Sequence, residues 1–177
     1  SPGGVRPLRW NPLQVGRNVL PEAQWRAFSD IFGAVAQLGQ KRQIHELREI
    51  LRRVYLAAGV LVDDPECRND PAWGIVRPAE APLAGCRAGT PLANLDRRAR
   101  LALAVERSRQ VGLGDLYRRI ETEIANVPPR DIRRSILEGI AFRLEPLVQG
   151  EAALQYAAGP DAVDINAVVP SAGGAAP

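Results

Sequence analysis

The chain offers few side chains of the kinds that make or break bonds. It has one histidine, His45, and two cysteines, Cys67 and Cys86. A Ser–His–Asp or Cys–His set would have to use His45. That residue follows Ile44 in an apolar stripe, and no G-x-S-x-G elbow accompanies it. His45 is therefore expected as a surface or partly buried imidazole near a helix start. Two cysteines and one distant histidine fall short of the four ligands of a structural zinc site. No C-x-x-C-H haem attachment is present. Neither G-x-x-x-x-G-K-[ST] nor a strand-linked G-x-G-x-x-G occurs. Gly112-Leu113-Gly114 lies between helical stretches, where helix termination accounts for both glycines. The residue types thus call for no metal and no cofactor.

Cys67 and Cys86 flank a segment containing Pro71, Pro78 and Pro82 and little periodicity. The pair suits a disulfide bracing an irregular loop, worth roughly 3 kcal/mol in the chain-entropy model. Such a crosslink belongs to an oxidising compartment. With a first residue that is Ser1 and not Met, which fits either a cleaved signal peptide or a chain excised from a longer one, it predicts an exported protein, periplasmic or secreted.

The cationic side chains are 22 arginines and Lys41, for a formal net charge of +3. Arg52-Arg53, Arg97-Arg98-Arg100, Arg118-Arg119 and Arg130/Arg133/Arg134 form groups that could meet phosphate. Acids accompany most of them, as Glu46 and Glu49 precede Arg52-Arg53 and Glu121 and Glu123 follow Arg118-Arg119. Solvated helix faces with i,i+4 pairs, such as Glu49 with Arg53 and Asp96 with Arg100, are expected, and nucleic-acid binding is not. One enzymatic arrangement is conceivable. Arg48, Arg52, Arg97, Arg100 and Arg134 could converge between helices and clamp an anionic substrate. The stretch Gln43–Arg53 resembles the Arg/Glu-bearing helix of secreted, helical chorismate mutases over these residues alone, as any amphipathic Arg/Glu helix does. That family's cationic set normally includes a lysine, for which Lys41 is the one residue available.

The elements that would position these residues are helices. Trp25, Phe28, Phe32, Val35 and Leu38 recur at spacings of three and four after Pro21, and Gly39 marks the exit. A second helix is expected from about Lys41 to Leu61 and, across so short a link, an antiparallel hairpin. Periodicity stops over 63–89. Thr90 reads as an N-cap and Pro91 as the first residue of a third helix reaching about Val111. A fourth is capped by Asp115 and ended by Pro128-Pro129. A fifth carries Asp131 in its first turn and ends or kinks at Pro146.

The expected fold is therefore all-α: a five-helix bundle of antiparallel hairpins with a long disulfide-braced loop and extended termini. Residues 1–20 read as an extended arm containing Val5 and Trp10, and 21–149 as the bundle domain. Residues 150–177 read as a mostly irregular tail in which Val163, Ile165, Val168 and Val169 could dock as a strip. The last residues, 171–177, are expected to be mobile. The 46% hydrophobic content excludes global disorder. No run of 18 apolar residues exists to form a spanning helix.

A preorganised loop bearing Trp73, Ile75, Val76 and Leu83, with Trp10 on the arm, suits recognition of a protein partner. The sequence thus predicts a non-catalytic interaction module, such as an accessory subunit, adaptor or inhibitor-type binding protein of the cell envelope. The arginine-clamping helical enzyme and a carrier enclosing an apolar ligand are the alternatives.

Overall fold

Pro21 stands at the first position of helix α1 (Pro21–Val35), where its missing N–H would have no partner in any case. The computed structural model describes residues 8–168. Val5, Val169 and the segment 171–177 lie outside the described residues. Helix α2 (Lys41–Ala57) turns Leu47, Ile50, Leu51, Val54 and Tyr55 to the interior. The other helices are α3 (Pro65–Asn69), α4 (Ala81–Ala84), α5 (Arg97–Ser108), α6 (Leu113–Asn126), α7 (Ile132–Gln149) and α8 (Ile165–Val168). Among the described residues there is no strand, only isolated bridges from Trp10 to Tyr156 and Val163 and from Ile75 to Pro91. The protein is all-α.

Helix α2 is the hub, packing against α1, α6 and α7, while α6 packs on α7. Leu47, Ile50, Leu51, Leu116, Ile120, Leu137, Ile140 and Leu144 are fully buried there. Each contributes about 1.5–3 kcal/mol by leaving water. Aspartates set several helix starts. Asp64, Asp96 and Asp131 accept from the N–H groups of Glu66, Ala99 and Arg133, each satisfying a donor that lacks an intrahelical partner. At α6 the N-cap is Gly112 and not the expected Asp115, which sits inside the first turn and whose carboxylate accepts from the Gly112 N–H at 2.8 Å.

Three other expected boundaries shift. Thr90-Pro91 does not open a helix, because the Ile75–Pro91 bridge and the Leu92 N–H bond to the Gly74 carbonyl (2.8 Å) hold this stretch against the loop. Asp96 supplies the cap instead. Helix α2 stops at Ala57, and Gly59 turns the chain with φ +73°. A Cβ there would lie 2.8 Å from Nη1 of Arg107, so only glycine suits both the backbone and the space. Helix α7 continues through Pro146 to Gln149.

The aperiodic segment 63–89 is built from short helices and turns, and its expected disulfide is absent: Cys67 and Cys86 are both free. Helix α3, which buries Cys67, packs on α2, whereas α4, which precedes Cys86, packs on α5. The two short helices are anchored on different parts of the body. Burial pushes the Cys67 thiol up to about 11. With both thiols free, the loop gives no support to an oxidising compartment.

The N-terminal arm is part of the core. Leu13 and Val15 are fully buried. The Tyr55 hydroxyl donates to the Leu13 carbonyl at 2.6 Å, Asn11 Nδ2 to the Val111 carbonyl at 2.7 Å, and the Val15 N–H to Ser108 Oγ at 2.8 Å. Residues 155–166 form a strap over the same arm. The Trp10 N–H bonds to Gln155 O at 3.1 Å, the Val163 N–H to Arg9 O at 2.8 Å, and Gln14 Nε2 to the Asp164 carboxylate at 2.6 Å.

Candidate functional site

The loop's brace is Arg107 of α5. Its side chain is 1% exposed, and every one of its five N–H donors is used. Nε meets Glu80 Oε1 at 2.7 Å, and Nη2 meets Glu80 Oε2 at 2.9 Å and the Ile75 carbonyl at 2.8 Å. Nη1 meets the carbonyls of Gly59 (3.1 Å) and Trp73 (2.8 Å). One guanidinium thus ties the turn after α2, the middle of the loop and the 3₁₀ turn Pro78–Glu80 to α5. Glu80 also accepts the Arg77 N–H at 2.9 Å, and the Arg77 guanidinium lies 4.5 Å above the Trp73 ring. Burial alone would raise the Glu80 pKa. The hydrogen bonds from Arg107 and from the Arg77 N–H outweigh it and hold the carboxyl below its ordinary value. With its donors saturated and little of it open to water, this pair serves the architecture and fixes the loop and, beyond it, α4.

A groove of about 900 Å³ runs along the outer face of α5. Its floor is apolar, made by Val19 and Leu20 of the arm, Leu83 of α4, and Leu101, Ala102 and Val105 of α5. Arg17, Arg97, Arg98 and Arg109 stand around it with Glu106, Asp164 and Asn166. The arm brings Val19 and Leu20 here because its bonds to Tyr55 and Ser108 end at Val15 and the chain then turns through Asn18, at φ +64°. The strap adds Asn166, which accepts the Arg17 N–H at 2.5 Å and donates to the Val15 carbonyl at 3.2 Å. Burial raises the Asp164 pKa, but hydrogen bonds from Gln14 and the Asn166 N–H, followed by the charges of Arg109 and Arg17, bring it below the ordinary value. A smaller hollow lined by Trp25 and Val62 adjoins the groove at Leu20 and Leu101.

The five arginines proposed as an anion clamp do not converge. Arg48 bonds Asp30 and Ser29, Arg52 pairs with Asp64 at 2.7 Å, and Arg134 pairs with Glu138 at 3.0 Å. Arg100 pairs with Asp63 at 2.6 Å, leaving Asp96 to its cap. Arg53 likewise pairs across helices with Glu123 (3.0 Å), not with Glu49. Only Arg97 of the five reaches the groove. Among the described residues no cluster of three or more His, Cys, Asp and Glu side chains is arranged to hold a metal ion, and no helix is long and apolar enough to cross a membrane. His45 is exposed on α2.

The residues expected to meet a partner divide. Leu83 is half exposed and lines the groove. Val76 is buried, and Trp73 is half-buried under Arg77 and packed on the core. Ile75 is partly exposed, with its carbonyl spent on Arg107. Trp10 is partly exposed and forms a tilted pair with Tyr156, ring centroids 5.6 Å apart.

Sequence reasoning missed Val19, Leu20, Leu101 and Ala102 as one surface, and Arg107 as the brace. Arg107 had a signal. It falls on the helical stripe of Leu103 and Ala104, both fully buried, and an arginine at a core position requires an internal acid. The groove had none, since its floor joins segments remote in sequence. No family model, curated protein or solved structure matches the chain.

Proposed function

We propose that the protein is a non-catalytic interaction module, an accessory subunit or adaptor, that seats a protein partner in the groove between the arm, α4 and α5. The observation that supports this reading is the convergence of Val19, Leu20 and Leu83. All three rank among the exposed large apolar side chains, and all three line one groove. Scattered apolar residues on a surface carry no meaning, but several gathered on one concave floor with a polar rim are what a partner covers. The charged and amide side chains that line the groove beside its apolar ones suit a macromolecular segment better than a wholly apolar ligand. In this reading the braced loop contributes indirectly: Arg107 and Glu80 fix the chain that leads into α4, so Leu83 is presented without an ordering cost on binding. A cell-envelope setting is a separate proposal, tested by fractionating the native source.

Co-purification from that source, with the full chain as bait, tests the function. Leu20→Asp and Leu83→Asp are expected to lose the protein that the parent chain retains. Ile132→Asp, an exposed substitution at the start of α7, is expected to keep it. A partner held equally by all three variants would overturn the reading.

A further inference from the structure

The groove also carries information about the partner's chemistry. Two i,i+4 rows of α5 face it: Arg97–Leu101–Val105–Arg109 and Arg98–Ala102–Glu106. The first row has a cation at each end, aliphatic side chains between them, and no acid. Arg97 and Arg109 are separated by about 18 Å along the helix at 1.5 Å per residue.

The charges at the two ends differ. Arg109 is partly answered by Glu106 at 3.4 Å and shares its end with Asp164. Among the ion pairs of the described residues, none involves Arg97 or Arg98. Both also lie in the first turn of α5, where the adjacent N-cap acid, Asp96, spends a carboxylate oxygen on the Ala99 N–H. They oppose the positive end of the helix dipole there.

Resting on the recognition reading above, we infer that the groove's occupant is an amphipathic helix of a partner protein, with an acidic cluster in its first turn and aliphatic residues at i,i+4 behind it. The carboxylates meet Arg97 and Arg98, which no ion pair of the described residues engages, and the aliphatic row lies between the two α5 rows. Small Ala102 allows the close approach that ridge-into-groove packing requires. Nucleic acid fits less well, since the aliphatic floor offers nothing to a phosphate backbone and Glu106 and Asp164 repel it. A single-headed amphiphile also fits less well. Its bare tail has no polar groups to set against Arg17, Glu106, Asp164 and Asn166, which line the same groove, whereas a helix carries polar side chains beside its apolar row.

Fluorescence anisotropy with the full chain tests the inference. The probe is a labelled helical peptide of about four turns, with glutamates in its first turn and leucines at i,i+4. It is expected to bind at low ionic strength and to weaken at least about tenfold when the same residues are scrambled. Arg97→Glu with Arg98→Glu is expected to abolish binding and transfer preference to the peptide with lysines in place of glutamates. Arg109→Glu is expected to weaken binding only a few-fold. Circular dichroism of each variant is expected to match the parent.

The inference fails if the glutamate peptide does not bind, if the scrambled or lysine peptide binds the parent as well, or if duplex DNA or oleate displaces the peptide by binding more tightly. The two readings fail separately. If the double arginine variant still captures the partner that Leu83→Asp loses, the groove stands and its acidic helix falls. If Leu83→Asp also keeps the partner, both fall.

Discussion

Arg107 and Glu80 are joined by two hydrogen bonds, Nε to Oε1 at 2.7 Å and Nη2 to Oε2 at 2.9 Å, although 27 residues separate them along the chain. Removing water from both ions is costly, and their attraction compensates only because three carbonyls satisfy the remaining donors. Arg107→Met therefore leaves a buried carboxylate with only the Arg77 N–H and the more distant Arg77 guanidinium (3.8 Å), and three carbonyls without this donor. A loss of about 3–5 kcal/mol in urea unfolding is expected. The double variant Arg107→Met with Glu80→Leu is expected to recover part of it. A single variant as stable as the parent would show that the pair does not brace the loop.

Acid is expected to loosen the same region. Burial pushes Glu80 and Glu123 upward, but hydrogen bonds from Arg107 to the first and from Arg133 to the second, with neighbouring guanidinium charges, leave both below the ordinary value of 4.5. A carboxylate with a depressed folded pKa stabilises fully above its unfolded value and ceases to do so as pH falls through the folded one. The urea midpoint is expected to stay level from about pH 7 to about pH 5 and to fall below about pH 4. Glu80→Gln is expected to start lower and fall less steeply. Parallel profiles for parent and variant would exclude Glu80 as a contributor.

The free thiols are distinguishable by alkylation. Cys67 is 1% exposed, with its pKa raised to about 11, so at neutral pH it is almost wholly a protected thiol. Cys86 is half-buried after α4 and is expected to be alkylated first in the native protein. Both are expected to react in denaturant without reductant. Failure of either to react there would restore the crosslink.

Tyr55→Phe removes the hydroxyl that donates to Leu13 O at 2.6 Å and leaves that buried carbonyl unsatisfied. The cost is expected to be about 1–3 kcal/mol. Hydrogen exchange is expected to quicken around residues 11–15 more than in α6 or α7. Uniform quickening would place the effect in the core and not in the arm.

These relationships differ in how far the sequence discloses them. Helices α1, α2, α6 and α7 were legible because Pro21, Asp115 and Asp131 mark starts and the aliphatic spacing marks faces, all of which are local. Local signals also misled. Thr90-Pro91 has the form of a helix start, yet pairing of Pro91 with Ile75 overrides it. Cys67 and Cys86 bracket the loop in sequence, but Cys67 lies on α3, which is held by α2, and Cys86 follows α4, which is held by α5. Leu83 was legible as an exposed apolar residue on a held loop. Its neighbours Leu20 and Leu101 were not, because only the tertiary path of the arm brings them together.

The arm's position has a kinetic consequence. Gln14 and Asp164 bond across 150 residues, and Arg17 and Asn166 across 149. Contacts of such sequence separation carry the largest loop-closure cost and form late. On the ribosome, the arm must wait for the strap until nearly all of the described chain has emerged. Asn166 and Arg17 both line the groove, so a nascent chain that has already folded α1 to α7 still lacks a finished groove. Under the proposed recognition role, partner capture would be deferred until synthesis has passed the strap, so that incomplete chains would not engage a partner.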